Sequence, residues 1–248
     1  MAAATEPPVP GATTVAVIGG RGGAGASVLS ATLATSAAGR GLRTLLVDGD
    51  PLGGGIDLVL GAEGAPGARW SDYSERHGRL SSVALHDSLP ARGGLAVLSW
   101  HRGAVEPVTA ETMRSVLDAA FRGYDLVIVD LPRQPTDASV EALAAADVTL
   151  IIVPAEVRAT VAADRVADLA RRYTRDLRLV VRGPAPGGLK ADAIAESLRL
   201  PLAGAMSADR RLAAAIERGE PPGGGGPLTA FCARFLGGLA HARRSHDS

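Results

Sequence analysis

Eight consecutive residues, Gly20-Arg21-Gly22-Gly23-Ala24-Gly25-Ala26-Ser27, carry the most readable chemistry in this sequence. Glycines at this density let backbone N–H groups turn inward around an anion. The residues before them, Thr13 to Ile18, are apolar and β-branched, and Val28, Leu29, Ala31, Leu33 and Ala34 follow at helical spacing. A strand, a glycine turn and a helix N-terminus in that order suit a phosphate group, because first-turn N–H groups and the helix dipole both favour negative charge. Two motifs overlap here. Gly20-x-Gly22-x-x-Gly25 fits the dinucleotide fingerprint, with Asp48 near the place of its ribose-binding acid. Gly20-x-x-x-x-Gly25-x-Ser27 fits the P-loop, except that Ala26 stands where that motif has lysine.

Acids at strand ends separate the two motifs. The apolar run Leu45-Leu46-Val47 leads into Asp48-Gly49-Asp50-Pro51, whose carboxylates could face a ligand crevice. The same composition also suits a plain turn. A second apolar run, Leu126-Val127-Ile128-Val129, ends in Asp130 and continues Leu131-Pro132-Arg133. A buried strand ending in aspartate, beside a P-loop Ser or Thr, is the Walker B arrangement that holds Mg²⁺. A dinucleotide enzyme has a use for Asp48 but none for Asp130, so the P-loop reading is favoured. No His/Cys/Asp cluster has zinc spacing, and no Ser/His/Asp set stands out.

The elements that must position these residues alternate along the chain. Strands are expected at 15–18, 44–47, 95–99, 126–129, 148–153, 177–181 and 201–206, and helices at 27–39, 109–121, 138–146, 158–172, 188–198 and 208–218. Near-continuous apolar runs fit parallel strands buried on both faces. The succession argues an α/β fold, an open, mostly parallel sheet with helices on both faces. Ligands of such sheets bind at the carboxyl ends of the strands, where the glycine loop falls. With 248 residues there is material for a substantial core, and 26 basic against 26 acidic residues give no general pull toward nucleic acid or membrane. Arg158, Arg165, Arg171, Arg172 and Arg175 alternate with Asp164 and Asp168, which reads as a solvated face rather than a nucleic-acid site. One cysteine, Cys232, excludes an intrachain disulfide, and with no long apolar run or leader in view a cytoplasmic protein is expected.

Residues 1–12 are small and Pro-rich and are expected to be a disordered tail, with the P-loop domain spanning 13–220. A Gly/Pro break at 221–226 precedes an amphipathic helix over 227–244. Its stripe of Leu228, Phe231, Cys232, Phe235, Leu236 and Leu239 suits docking on the body, contact with a membrane, or a partner protein. Trp70, Tyr73 and Trp100 read as packing residues.

Taken together, these stretches resemble the MinD/ParA class of deviant-Walker ATPases, and within it the CpaE/TadZ-like pilus-assembly and septum-site-determining proteins. The resemblance covers nearly all of residues 13–240. It rests on residues 20–27, on 45–61 (LLVDGDPLGGGIDLVLG), on 124–133 (YDLVIVDLPR), and on Val153-Pro154-Ala155-Glu156 with 210–219 (RRLAAAIERG). It implies ATP and Mg²⁺ as ligands, with Gly20, Arg21, Gly22, Gly23, Ala24, Gly25, Ala26 and Ser27 around the phosphates. It places Ser27, Asp48 and Asp130 around the metal, and has Asp48 and Asp50 orient metal-bound and attacking water. Arg133 falls in its switch II segment, and Arg182 where relatives have an asparagine reading adenine.

Arg21 falls where relatives carry a lysine that reaches across a nucleotide-sandwich dimer; arginine keeps the charge but changes the reach. Alanine at 26 forgoes a charge-assisted phosphate contact worth on the order of 1.5–3 kcal/mol, so slow hydrolysis is expected. The resemblance implies a homodimer on ATP binding that recruits protein partners of a pilus, secretion or cell-division system. It allows a peripheral place at the inner face of the plasma membrane. Two other readings stay open: an active ATPase with Arg21 acting in trans, and a scaffold without nucleotide binding. Pilus-type relatives often carry an upstream receiver-like domain; here only the Pro-rich stub is present, so that function is expected to be absent or supplied elsewhere.

Overall fold

The computed structural model describes residues 11–74, 78–103 and 107–246. In chain order these form β1 (Thr13–Gly19), α1 (Ala26–Ala38), β2 (Thr44–Asp48), α2 (Ile56–Val59), α3 (Ser71–Ser74), α4 (Ser82–Ser88), β3 (Ala91–Arg92), β4 (Leu95–Leu98) and α5 (Ala110–Gly123). There follow β5 (Leu126–Leu131), α6 (Asp137–Ala145), β6 (Val148–Pro154), α7 (Val157–Ala170), β7 (Leu177–Arg182), α8 (Ala191–Leu198), β8 (Leu202–Met206), α9 (Arg210–Glu217) and α10 (Pro227–His246).

The strands make one eight-stranded sheet in the order β3-β4-β2-β5-β1-β6-β7-β8, parallel throughout except for the short β3. Alternate residues of each central strand serve opposite faces, as the two-residue strand period requires. Val15, Val17, Leu46, Ile128, Leu150 and Ile152 pack under α1 and α10. Ala16, Val47, Val127 and Val129 pack under α5 and α6, and Ile18, Ile151 and Val153 under α7 and α8. Helices therefore cover both faces, as expected. The chain leaves β1 toward β2 and leaves β6 toward β7, so the order reverses between the adjacent strands β1 and β6. A crevice at the carboxyl ends opens at such a reversal.

Every expected strand and helix is present, with small shifts at the ends. The helix expected from 188 begins at Ala191, after Gly188 takes a positive φ of 70°. The sequence showed no sign of α2 and α3, each a single turn of four residues, or of β3, two exposed residues. Ser81, which accepts from the Ala84 N–H, starts the unexpected α4.

Of the expected Pro-rich tail, residues 1–10 lie outside the described residues. Ala12 is ordered instead, because it is buried and donates its N–H to Phe121 O at 3.0 Å. At the other end Pro222 is buried, with its carbonyl accepting from Thr35 Oγ1 at 2.9 Å. The stripe of α10 lies in the core: Leu228, Phe231, Cys232, Phe235 and Leu236 are all buried against the α1 side of the sheet. That covers the surface a membrane would need. Among the described residues, no helix is long and apolar enough to cross a membrane.

Candidate functional site

The glycine loop joins β1 to α1 directly over the sheet reversal, and Gly20 donates its N–H to Ile152 O on β6 at 2.9 Å. Gly25 caps α1 with a φ of 100°, a left-handed conformation that costs a glycine little. From there the first-turn N–H groups of α1, those of Ala26 and Ser27 included, have no carbonyl one turn earlier to receive them. The loop and the start of α1 thus stand in the order that the residue pattern implies, strand, glycine turn, helix N-terminus.

The strand-end acids come together as expected. Asp48 on β2 and Asp130 on β5 are register partners, so their side chains share a face and neighbour each other beneath the loop. Gly49 makes this possible: its N–H donates to Asp130 O at 2.8 Å, and a Cβ there would come within 2.7 Å of that oxygen. Both carboxyls are about 2% exposed. Asp48 Oδ2 accepts from the Ile56 N–H at 2.9 Å and from Ser99 Oγ at 3.0 Å. Trp70 Nε1 donates to the Asp48 carbonyl at 2.6 Å, which fixes the strand end from the opposite side. Burial nevertheless pushes the Asp48 carboxyl up to about 6. Asp130 Oδ1 accepts from Ser30 Oγ at 3.0 Å, and its carboxyl also accepts from Ser27. Burial outweighs these bonds, and with Asp48 close by it lifts Asp130 to about 7. Asp50 is half-buried, donates its N–H to Asp48 Oδ1 at 3.3 Å and accepts from the Leu52 N–H at 3.1 Å. The turn reading and the crevice reading of Asp-Gly-Asp-Pro therefore both hold.

Two arginines flank the loop. Arg21 Nη2 donates to both carboxylate oxygens of Glu156, at 3.1 and 3.2 Å, and Nη1 donates to Gly22 O at 3.2 Å. The side chain expected to reach outward is thus engaged within its own subunit. Arg182, at the end of β7, lies over the opposite wall and donates from Nη2 to Gly23 O at 3.4 Å. It lines a pocket of about 250 Å³ with Gly25, Ile152, Pro184, Met206 and Asp209, which touches the loop at Gly25. Arg133 is exposed and lines a small cleft with Pro135 and Val166; no hydrogen bond or ion pair joins it to the loop among the described residues.

Several participants gave no sequence signal of their own. Ser30, Ser99 and Trp70 act on the acids through positions that only the packing reveals. Arg102 donates to Gly54 O and to buried Asp57, both at 2.9 Å, and so holds the segment after Asp50. Glu156 was legible as part of Val-Pro-Ala-Glu, but not as the partner of Arg21.

A family model described as the CobQ/CobB/MinD/ParA nucleotide binding domain matches residues 15–222. The chain belongs to this family. An uncharacterized protein of Mycobacterium tuberculosis is 47% identical over 205 residues, covering 83% of this chain; the chain spans 57% of that relative's length. A putative septum site-determining protein MinD of Nephroselmis olivacea is 27% identical, over 87% of this chain and 81% of its own length. Among solved structures, the MinD cell division protein of Aquifex aeolicus superposes with a TM-score of 0.74 at 26% identity, covering 91% of this chain and 98% of its own. The MinD/ParA resemblance and the α/β sheet are thereby established, and the glycine loop belongs to a nucleotide-binding domain.

The donor set of this MinD/ParA-class site decides what a metal could do here. Among the described residues, no group of three or more His, Cys, Asp or Glu could hold a metal alone. The Ser27 hydroxyl and the Asp48 and Asp130 carboxyls are too few for a protein cage, but they suit Mg²⁺, which binds through one or two carboxylates plus substrate phosphates. A divalent cation would also offset the desolvation that now raises both acids. The residues present fit the ion, provided that a nucleotide brings the rest of its shell.

Proposed function

We propose that this chain binds Mg²⁺-ATP at the glycine loop, dimerises when loaded, and acts as a localisation or assembly factor of the septum-site or pilus/secretion type. The observation that carries the reading is the convergence of the backbone cradle, the Ser27 hydroxyl and the register-paired Asp48 and Asp130 at the sheet reversal. In this reading the cradle at Gly22, Gly23 and Gly25 and the α1 first turn hold phosphates, and Ser27 with Asp130 and Asp48 hold the metal. The ion supplies charge neutralisation between phosphate oxygens. Asp50 and Asp48 orient water, and the pocket beneath Arg182 takes the base and sugar. Alanine at 26 makes the loop a degenerate Walker A motif, so hydrolysis is slow and loading acts mainly as a switch. Partners are proteins of the division or secretion machinery. Contact with the inner face of the plasma membrane is made through them, because Phe231 and Phe235 are already covered.

Calorimetric titration with ATP, with and without Mg²⁺, tests the reading directly, with light scattering on the same samples. Saturable binding that tightens with Mg²⁺, and a doubling of mass on loading, are expected. Absence of heat with either form of ATP would leave the scaffold reading standing instead.

A further inference from the structure

The loop lacks a lysine at position 26, yet it does not lack a cation in reach. Arg182 Nη1 lies 3.3 Å from the place a Cβ would occupy on Gly25, and Cδ lies 3.9 Å from it, so the side chain lies against the turn that starts α1. Its Nη2 makes only a long contact to Gly23 O, 3.4 Å, and its Nε is buried without a partner. We propose that Arg182 is the phosphate-binding cation of this site, acting from the end of β7 within the same subunit in place of the side chain that Ala26 lacks. The proposal rests on the nucleotide reading above and assigns Arg182 to the phosphates rather than to the base.

The contrast with Arg21 supports the choice. Both arginines keep a buried, unpartnered Nε, but Arg21 is already forked onto Glu156 through two bonds. Glu156 is thus taken up by Arg21, and among the described residues no carboxylate forms an ion pair with Arg182. Burial lowers the Arg182 pKa, and the charge on Arg21 lowers it further, with Glu156 opposing. That is the state of a cation short of negative partners. An anion between the loop N–H groups and Arg182 would satisfy the free Nε and the weakly bonded Nη2 together. Guanidinium grips such oxygens in pairs. The anchor is firm: the Arg182 carbonyl accepts from the Ala155 N–H at 2.9 Å, and residue 182 is paired with Pro154 on β6 and Met206 on β8.

Calorimetry with ATP, ADP and adenosine separates the possibilities, using the unmodified protein, Arg182→Ala and Arg182→Gln. Arg182→Gln keeps much of the stem in case the alanine form does not fold. Loss of a charge-assisted phosphate contact should weaken ATP and ADP about tenfold to a hundredfold while leaving adenosine unchanged. Adding Ala26→Lys to either variant should restore most of the loss. Undiminished ATP affinity in the variants overturns the proposal. Equal losses for adenosine and ATP overturn it too, in favour of a contact to the base. If the unmodified protein binds no ATP, the proposed function fails along with it.

Discussion

Helix α1 meets opposite surroundings at its two ends. Near the N-terminus Ser30 Oγ donates to buried Asp130, beside a second buried acid and two arginines whose Nε atoms have no partner. At the far end Thr35 Oγ1 bonds Pro222 O, Arg40 Nη2 bonds Ala233 O at 2.7 Å, and Phe231, Cys232 and Leu236 of α10 fill the core. One end is closed, with Thr35 and Arg40 bonded to the segment before α10 and to α10 itself and its apolar surface covered; its one buried unpartnered polar atom among the described residues, Ser36 Oγ, is uncharged. The other holds charge that the fold itself does not neutralise. Buried charge without a counter-charge is costly, and it persists where a ligand removes the cost. The difference teaches which end was shaped for stability and which for an occupant. It also predicts opposite signs when the two ends are altered.

The largest effect is expected at the closed end. Phe231 is 2% exposed and stacks on Phe235 with ring centroids 6.0 Å apart. Replacing it by aspartate removes a large apolar side chain and buries an unpaired charge. Loss of the ring alone costs about 3–5 kcal/mol, so melting should fall by about 10 °C or more. Thermal unfolding followed by circular dichroism measures this. If melting is unchanged while binding to anionic liposomes disappears, α10 belongs to a membrane and the comparison collapses.

A smaller effect of the opposite sign is expected at the open end. Asp130 titrates at about 7 and Asp48 at about 6 in the folded chain, against an ordinary 3.8 for both. Between those values the folded chain binds more protons than the unfolded chain. Stability therefore falls as pH rises through that window, and the contribution of the two acids is fully present only below it. Asp130→Asn keeps an oxygen for Ser30 and Ser27 but carries no charge. Without nucleotide it should melt higher than the unmodified protein at pH 8, and the gap should close toward pH 5. Its nucleotide affinity should no longer respond to Mg²⁺. A variant less stable than the parent at pH 8 would mean that the acid is already compensated.

The same contrast explains what the sequence alone disclosed. The apolar strands, the glycine loop and the acids at 48, 50 and 130 were legible because each is a local pattern: a period, a turn composition, a strand terminus. The stripe of α10 was legible as a stripe, but its neighbour was not, since pairing across nearly 200 residues is decided by what remains uncovered on the sheet. Arg182 could be placed at the end of β7 but not aimed. Its direction follows from Gly25 having no Cβ and from β7 lying one strand beyond β6. The partner of Arg21 was hidden for the same reason, because Glu156 follows a strand distant in sequence and adjacent in space.

The smallest change in stability and the sharpest change in behaviour should come from Arg21. Its ion pair with Glu156 is about one-third exposed on the arginine side and 41% exposed on the glutamate side, so solvent screens it. Such a pair contributes about 0–1 kcal/mol, and Arg21→Ala should shift melting by no more than about 2–4 °C. If Arg21 acts across a dimer, the cis pair with Glu156 is a holding position that loading must break. Arg21→Ala should then abolish ATP-dependent dimerisation while ATP still binds the monomer through the backbone cradle and Arg182. Glu156→Gln, which loosens the hold, should lower the ATP concentration at which the dimer forms. Light scattering across an ATP titration reads both variants. Equal dimerisation by Arg21→Ala and the parent would show that Arg21 serves its own subunit alone, and the open end of α1 would then be a site completed without a second copy.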